Sequence, residues 1–255
     1  MKILFMGRKQ SSAEMLEWTL KNGHEVVGVL TDNHLVGSQT TEIANKYGVP
    51  VYTLEQVYEL IDSHKIEIDL AISVVYWRKI KEPLISFPKF GTINLHPAPL
   101  PEYKGTAGYN LAILENLDKW AITSHYVTES IDDGPIIDKF EFSIDSLEET
   151  VVTLESKSQE FIKALYKKTI REVSLKGILN SFENKGGKYI SRQEMEAMKK
   201  IEVKDDIDKK IRAFWFPPYT GAYMEINGEK YTLINDYILK TLAKNGTSLI
   251  VPEKK

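Results

Sequence analysis

The stretch Gly91-Thr92-Ile93-Asn94-Leu95-His96-Pro97-Ala98-Pro99-Leu100-Pro101, continuing as Glu102-Tyr103-Lys104-Gly105, holds the residues of the chain best suited to chemistry. Thr92 to His96 has the length and β-branching of a strand, and in a strand residues two apart point to the same side. Asn94 and His96 therefore project together from a strand end. Three prolines then stop the ladder, because proline brings no backbone donor. An amide beside an imidazole suits acyl transfer: the amide NH2 donates to a developing oxyanion while the ring moves a proton. A second segment, Thr128-Glu129-Ser130-Ile131-Asp132-Asp133-Gly134-Pro135-Ile136, places two carboxylates in a Gly-Pro turn. Asp132 lies 36 residues beyond His96, enough chain for a helix and a strand that return it to the same edge. A carboxylate there would fix the imidazole tautomer and favour the imidazolium. Each group also has a plain structural reading, His96 as a hydrogen-bonded strand residue and the Asp-Gly-Pro run as turn chemistry.

Short apolar runs must hold these groups in place. The pattern predicts strands at Lys2 to Met6, Glu25 to Thr31, Leu70 to Tyr76, Thr92 to His96, Ala121 to Thr128 and Ile136 to Ser143. Helices are expected at Ser12 to Asn22, Thr40 to Tyr47, Leu54 to Ser63 and Leu147 to Lys176. Alternation of this kind implies right-handed βαβ units and a doubly wound, mostly parallel α/β sheet over residues 1–190. After the turn-rich Asn184-Lys185-Gly186-Gly187-Lys188, a smaller unit at 198–255 is expected to be β-rich. Its signals are a helix at Ile207 to Phe214 stopped by Phe216-Pro217-Pro218-Tyr219, then runs at Ala222 to Ile226, Lys230 to Leu233 and Ser248 to Val251. The pairs Asn227-Gly228 and Asn245-Gly246 read as hairpin turns.

The 255 residues carry 33 Lys and Arg against 36 Asp and Glu, and no Cys. That balance argues against tight non-specific binding to nucleic acid, which needs clustered basic charge. Without Cys there is no disulfide framework, thiolate metal site or catalytic thiol, as suits a reducing compartment. No apolar run approaches the ~20 residues that span a bilayer, and the five-residue apolar run at the start is too short for a signal peptide. The expected protein is soluble and cytoplasmic, with no membrane partner. His24, His34, His64 and His125 are scattered without ligand spacing; they are read as structural or surface residues, and no metal is expected.

The turn after the first strand, Gly7-Arg8-Lys9-Gln10-Ser11-Ser12, has one glycine where a dinucleotide fingerprint needs three. A nicotinamide cofactor is not expected, and Asp32, just past the second strand, loses most of its claim to a ribose. Arg8, Lys9 and Ser11 nevertheless sit at a strand end and helix start, where backbone N–H groups favour an anion. An ordinary serine N-cap with solvated cations is the alternative.

The motifs Asn94-Leu95-His96-Pro97, Leu100-Pro101-Glu102-Tyr103-Lys104-Gly105 and Ile131-Asp132-Asp133-Gly134-Pro135-Ile136 together resemble the formyltransferases that use 10-formyltetrahydrofolate. The likeness covers roughly Met1 to Ser181. A tail motif, Ile211 to Ala222, resembles the start of the C-terminal subdomain in members acting on transfer RNA or nucleotide-linked amino sugars. The resemblance implies a catalytic trio of Asn94, His96 and Asp132. It also implies a formyl carbon attacked by an uncharged amine, with the oxyanion held by Asn94 and protonated His96, and a folate site formed by Trp77, Arg78, Ile80, Ser130, Ile131 and Asp133. Tyr103, Lys104 and Tyr109 flank the same mouth as candidate contacts to the acceptor, alongside Arg8, Lys9 and Ser11. In the tail, Phe216, Tyr219 and Trp215 could offer a ring to a base.

Three acceptors compete within the resemblance. Members acting on initiator methionyl-tRNA carry a larger basic C-terminal domain, whereas residues 199–255 hold eleven Lys or Arg against eight Asp or Glu, spread along the segment. Members acting on glycinamide ribonucleotide leave the tail unexplained. The expected acceptor is therefore a nucleotide-linked amino-deoxysugar, with dTDP-4-amino-4,6-dideoxyglucose in lipopolysaccharide O-antigen synthesis as the leading choice. Methionyl-tRNA formylation is the alternative, followed by a non-catalytic module that binds sugar nucleotide or folate. Free strand edges in the tail could pair two copies as a homodimer.

Overall fold

The computed structural model describes residues 1–32 and 38–246. In chain order its elements are β1 (Lys2–Gly7), α1 (Gln10–Lys21), β2 (Glu25–Leu30), α2 (Gln39–Lys46), α3 (Leu54–Asp62), β3 (Leu70–Val74), β4 (Thr92–His96), β5 (Tyr103–Gly105) and α4 (Gly108–Leu114). There follow β6 (Lys119–Tyr126), β7 (Ile136–Ser143), α5 (Val151–Lys176), β8 (Lys188–Ile190), α6 (Arg192–Ala197), α7 (Ile207–Phe214), β9 (Tyr223–Ile226), β10 (Glu229–Thr232) and α8 (Asp236–Gly246).

Six strands make the central sheet in the order β2-β1-β3-β4-β6-β7. β1 reads as an unbroken apolar run because both its faces are covered. Ile3 and Phe5 enter the core with Leu16 of α1 and Leu165 of α5, whereas Leu4 and Met6 pack with Leu54, Val57 and Ile61 of α3. The first four strands are parallel, as expected for a doubly wound sheet. β6 and β7 are antiparallel to their neighbours. The seven-residue α4 spans only about 10 Å, too short to carry the chain back across the sheet. β6 therefore starts where β4 ended and runs the other way.

The long helix α5 starts four residues later than its apolar pattern suggests, because Thr150 caps it. The Thr150 and Thr153 hydroxyls each accept the other's backbone N–H, at 3.2 and 2.9 Å. Inside the fold, the Tyr166 hydroxyl meets Thr19 Oγ1 at 2.6 Å and ties α5 to α1.

The tail carries the expected small antiparallel sheet. Among the described residues it has one hairpin, β9-β10, turning at Asn227-Gly228, beside two helices, α7 and α8. Asn245-Gly246 ends α8 instead of turning a second hairpin, and Ser248 to Val251 lies outside the described residues. The Asn235 side chain accepts the Ile238 N–H at 2.9 Å, a helix N-cap that outweighs the turn signal downstream. Met195, Ile211, Phe214 and Ile238 share one apolar cluster with Leu111 and Ile113 of α4, so the tail leans on the segment that follows the Asn94–His96 strand.

Candidate active site

The antiparallel register sets Asn94 of β4 opposite His125 of β6, and cross-strand partners face the same side of a sheet. Asn94 Nδ2 donates to His125 Nε2 at 3.1 Å, and His125 Nδ1 donates to the Tyr126 carbonyl at 2.8 Å. The ring thus keeps a bare Nε2 for the amide, and Asn94 keeps its second N–H for another acceptor. Two residues along, His96 Nε2 donates to the Tyr103 carbonyl at 2.8 Å. Its Nδ1 then faces Asp132 Oδ1 at 3.4 Å, and the same oxygen lies 3.6 Å from His125 Nε2. Oδ2 of Asp132 accepts the Gly105 N–H at 3.0 Å. The tautomer of His96 is therefore set by the Tyr103 carbonyl, not by the carboxylate as the sequence suggested; Asp132 supplies charge.

Burial pushes the His96 pKa below its ordinary 6.5, with Asp132 pulling the other way, so the resting ring is neutral near pH 7. Burial would raise the Asp132 pKa, but its position beside the His96 and His125 rings and the hydrogen bond from the Gly105 N–H hold it down at about 2. A neutral imidazole whose free nitrogen points at a fixed carboxylate is ready to take a proton at Nδ1.

The loop carrying Asp132 is held from several sides. Asp132 has a φ of 52°, a left-handed conformation uncommon outside glycine. Asn184, from the turn-rich segment before β8, donates to the carbonyls of Asp132 and Gly134 at 3.0 and 2.8 Å. Gly134 cannot be replaced cheaply, since a Cβ there would stand 1.8 Å from the Tyr126 carbonyl oxygen. Lys104, buried in β5, pairs with Asp133 at 2.6 Å. That pairing makes Lys104 and Asp133 a strut between the two motif loops.

Beside the trio is a crevice of about 100 Å³ whose lining includes Asn94, His125, Asp132, Arg78, Ile80, Ser130 and Ile131. Ser73, Tyr76, Lys79, Val127 and Thr128 complete the wall. Trp77 is half exposed and outside that lining. Arg78 is held by a two-pronged ion pair with Glu55 at 3.0 and 2.5 Å.

A larger cavity, about 580 Å³, opens at the carboxyl ends of β1 and β2. Arg8, Lys9, Tyr109, Phe216 and Tyr219 line it together, and Thr106, next to the glycine that holds Asp132, is part of its wall. Phe216 and Tyr219 stack at 5.8 Å and 7°, with Lys9 5.5 Å from the Phe216 ring centroid and Arg192 5.7 Å from that of Tyr219. Lys9 is also paired with Glu155. Ser11 and Tyr103 are not in the lining: Ser11 Oγ donates to Gln159 at 2.5 Å and the Tyr103 hydroxyl to Glu115 at 2.6 Å. Sequence reasoning set Asp32 aside and missed Arg192 and Lys199, all three of which stand in this wall. Arg192 opens α6 and Lys199 follows just after it, where no motif marks them. Among the described residues no group of three or more His, Asp or Glu side chains could hold a metal ion, and no helix is long and apolar enough to cross a membrane.

The formyl transferase family matches residues 1–170. The chain belongs to that family. A methionyl-tRNA formyltransferase of Bacillus licheniformis is 32% identical over 183 residues, 68% of this chain and 58% of that protein, so the chain spans just over half of that relative's length. One from Bacillus cereus is 28% identical over 242 residues, covering 89% of this chain and 76% of its own. Among solved structures, the N-formyltransferase of Helicobacter canadensis, in complex with folinic acid and dTDP-3-aminofucose, superimposes with a TM-score of 0.72. It is 25% identical, with 90% of this chain and 86% of that one covered. WlaRD, a sugar 3N-formyl transferase solved with dTDP and 5-N-formyl-THF, matches with the same TM-score and identity over 90% of this chain and 84% of its own.

Proposed function

We propose that this formyltransferase moves the formyl group of 10-formyltetrahydrofolate to the amine of a nucleotide-linked amino-deoxysugar, in the cytoplasm. The observation that carries the acceptor class is the cationic, aromatic cavity of about 580 Å³ beside the trio: diphosphate charge suits Arg8, Lys9, Arg192 and Lys199, and a base suits the Phe216–Tyr219 pair. The crevice suits a flat folate ring, with apolar walls at Ile80, Val127 and Ile131 and polar groups of Asn94 and Asp132 at one end. The bound folate supplies the one-carbon unit as electrophile. For their part, the chain's residues orient and neutralise: the free Asn94 N–H donates to the developing oxyanion, and His96 Nδ1 takes the amine proton beside Asp132. The leading acceptor is dTDP-4-amino-4,6-dideoxyglucose, bound for a lipopolysaccharide O-antigen.

The test is incubation with 10-formyltetrahydrofolate and a panel of nucleotide amino sugars, read by mass for the gain of one formyl group. The expected result is formylation of a dTDP-linked amino sugar. Formylation of methionyl-tRNA with none of the sugars modified would overturn the reading; the 89% coverage by the Bacillus cereus methionyl-tRNA formyltransferase makes that the second reading. Folate binding with no transfer to any acceptor would leave only a binding module, which the assembled trio argues against.

A further inference from the structure

The registers of the parallel strands lay out a ruler along the sheet. Leu30 of β2 pairs with Met6 of β1, Met6 with Ser73 of β3, and Ser73 with Asn94 of β4. Carried two residues on, just past the ends of β1, β2 and β3, the same line points to Asp32, Arg8, Val75 and, in β4, His96. Adjacent strands lie about 4.8 Å apart, so Arg8 starts roughly 10 Å and Asp32 roughly 14 Å from the His96 position. Arg8 anchors to that row through Nε, which donates to the Val75 carbonyl at 3.2 Å, and its two terminal guanidinium nitrogens make no hydrogen bond among the described residues. Backbone strain gathers along the same row. Lys9 has a φ of 75° and the β-branched Val75 a φ of 53°, conformations that persist mainly where a site is being built.

Asp32 is the anomaly in the row. It is 9% exposed, lines the large cavity and makes no hydrogen bond or ion pair among the described residues. Its carboxylate opens onto the cavity and is left for a ligand or water to complete. What faces it must donate hydrogen bonds. In a nucleotide sugar the groups run in the order amine, diphosphate, pentose, and the row runs in the order His96, Arg8 with Lys9, Asp32.

We propose that Asp32 is a specificity residue that accepts a pentose hydroxyl hydrogen of the acceptor's nucleotide, with the diphosphate over Arg8 and Lys9 and the sugar amine at His96. This inference rests on the nucleotide-sugar reading and fixes which way round the acceptor lies. Phosphate alone would leave Asp32 unsatisfied, and a free amino sugar would not reach it.

The experiment is calorimetric binding of dTDP and of 3′-deoxythymidine diphosphate, which lacks the 3′-hydroxyl, to the full chain and to its Asp32→Ala and Asp32→Asn variants. A hydrogen bond to a charged group supports a wild-type preference for dTDP on the order of 10-fold. That preference should vanish in Asp32→Ala, because dTDP weakens while the deoxy analogue does not. The variant should melt no lower than wild type, since an unpartnered buried charge has been removed; a lower Tm with unchanged nucleotide preference would overturn the proposal in favour of a structural aspartate. If Asp32→Ala fails to fold, the near-isosteric Asp32→Asn gives the same comparison through a weakened preference. Retention of the full preference in either variant overturns the inference while the nucleotide-sugar reading stands. Failure of wild type to bind dTDP or any other nucleoside diphosphate overturns both.

Discussion

The small crevice and the large cavity occupy neighbouring parts of one sheet, and they are built on opposite plans. Around the crevice, Asn94, His96, His125 and Asp132 satisfy one another or the backbone before any ligand arrives. In the cavity, the terminal nitrogens of Arg8 and the carboxylate of Asp32 have no such partners among the described residues. Reacting groups gain from being fixed in advance, because reorganising dipoles during the reaction would add to the barrier. Groups that grip a ligand gain from being left open to it, since a satisfied donor must give up one bond to make another.

If that contrast is real, lesions in the crevice change turnover and lesions in the cavity change binding. The largest effect is expected for His96→Asn, which removes the proposed proton acceptor and should lower kcat on the order of 1,000-fold, with dTDP binding by calorimetry unchanged. Loss of both together would make His96 a structural residue and erase the contrast. Asn94→Ala deletes the oxyanion donor and should cost kcat about 100-fold or more, again with little change in nucleotide affinity. His125→Phe keeps ring volume but removes the acceptor that aims the Asn94 amide. It should cost turnover on the order of 10-fold, and Asn94→Ala combined with it should be little worse than Asn94→Ala alone. Additive losses in the double variant would sever the link between the two side chains. Arg8→Gln belongs to the other plan: KM for the nucleotide sugar should rise about 10-fold with kcat within about twofold.

The Asn94–His96 pair and Asp132 were legible in the sequence as local patterns, whereas Arg8, Lys9, Tyr109, Phe216 and Tyr219 were named there with nothing to show that they meet in one cavity. Asn94 and His96 announce themselves through a strand's period of two, and Asp132 through a turn that follows a strand. β1 to β4 and the helices between them followed from apolar patterning because each is a local decision. His125 escaped because its importance depends on β6 running antiparallel to β4, a consequence of how little chain α4 provides and not of any residue in β6. Lys104 and Asp133 look like ligand contacts when read one at a time, and only the fold shows them spent on each other. The cavity wall draws Arg8, Asp32, Tyr109, Glu155, Arg192 and Tyr219 from six separate segments, so no spacing rule could have assembled it. In the tail, an Asn-Gly pair has the same letters in a hairpin and at a helix end, and the Asn235 cap decided between them.

The smallest expected effect concerns stability, and it separates the two regions by pH. His96 has a folded pKa below its ordinary 6.5, so the unfolded chain takes up a proton first as the solution is acidified. Its contribution is therefore complete above pH 6.5 and lost as pH falls from there through the lowered folded value. Asp132, near 2 in the fold against an ordinary 3.8, keeps its contribution above 3.8 and loses it as pH falls toward 2. Between pH 7 and 5 the slope of Tm should thus carry the His96 proton and none from Asp132. His96→Asn should flatten that slope, whereas Arg8→Gln should leave it as in wild type, because Arg8 holds its charge throughout. Thermal melts at half-unit pH steps decide it: a steeper acid fall of Tm in His96→Asn would mean that the buried imidazole already holds a proton beside Asp132, making the crevice a charged pair instead of a neutral network, and an unchanged slope would mean that folding leaves the His96 pKa where it was.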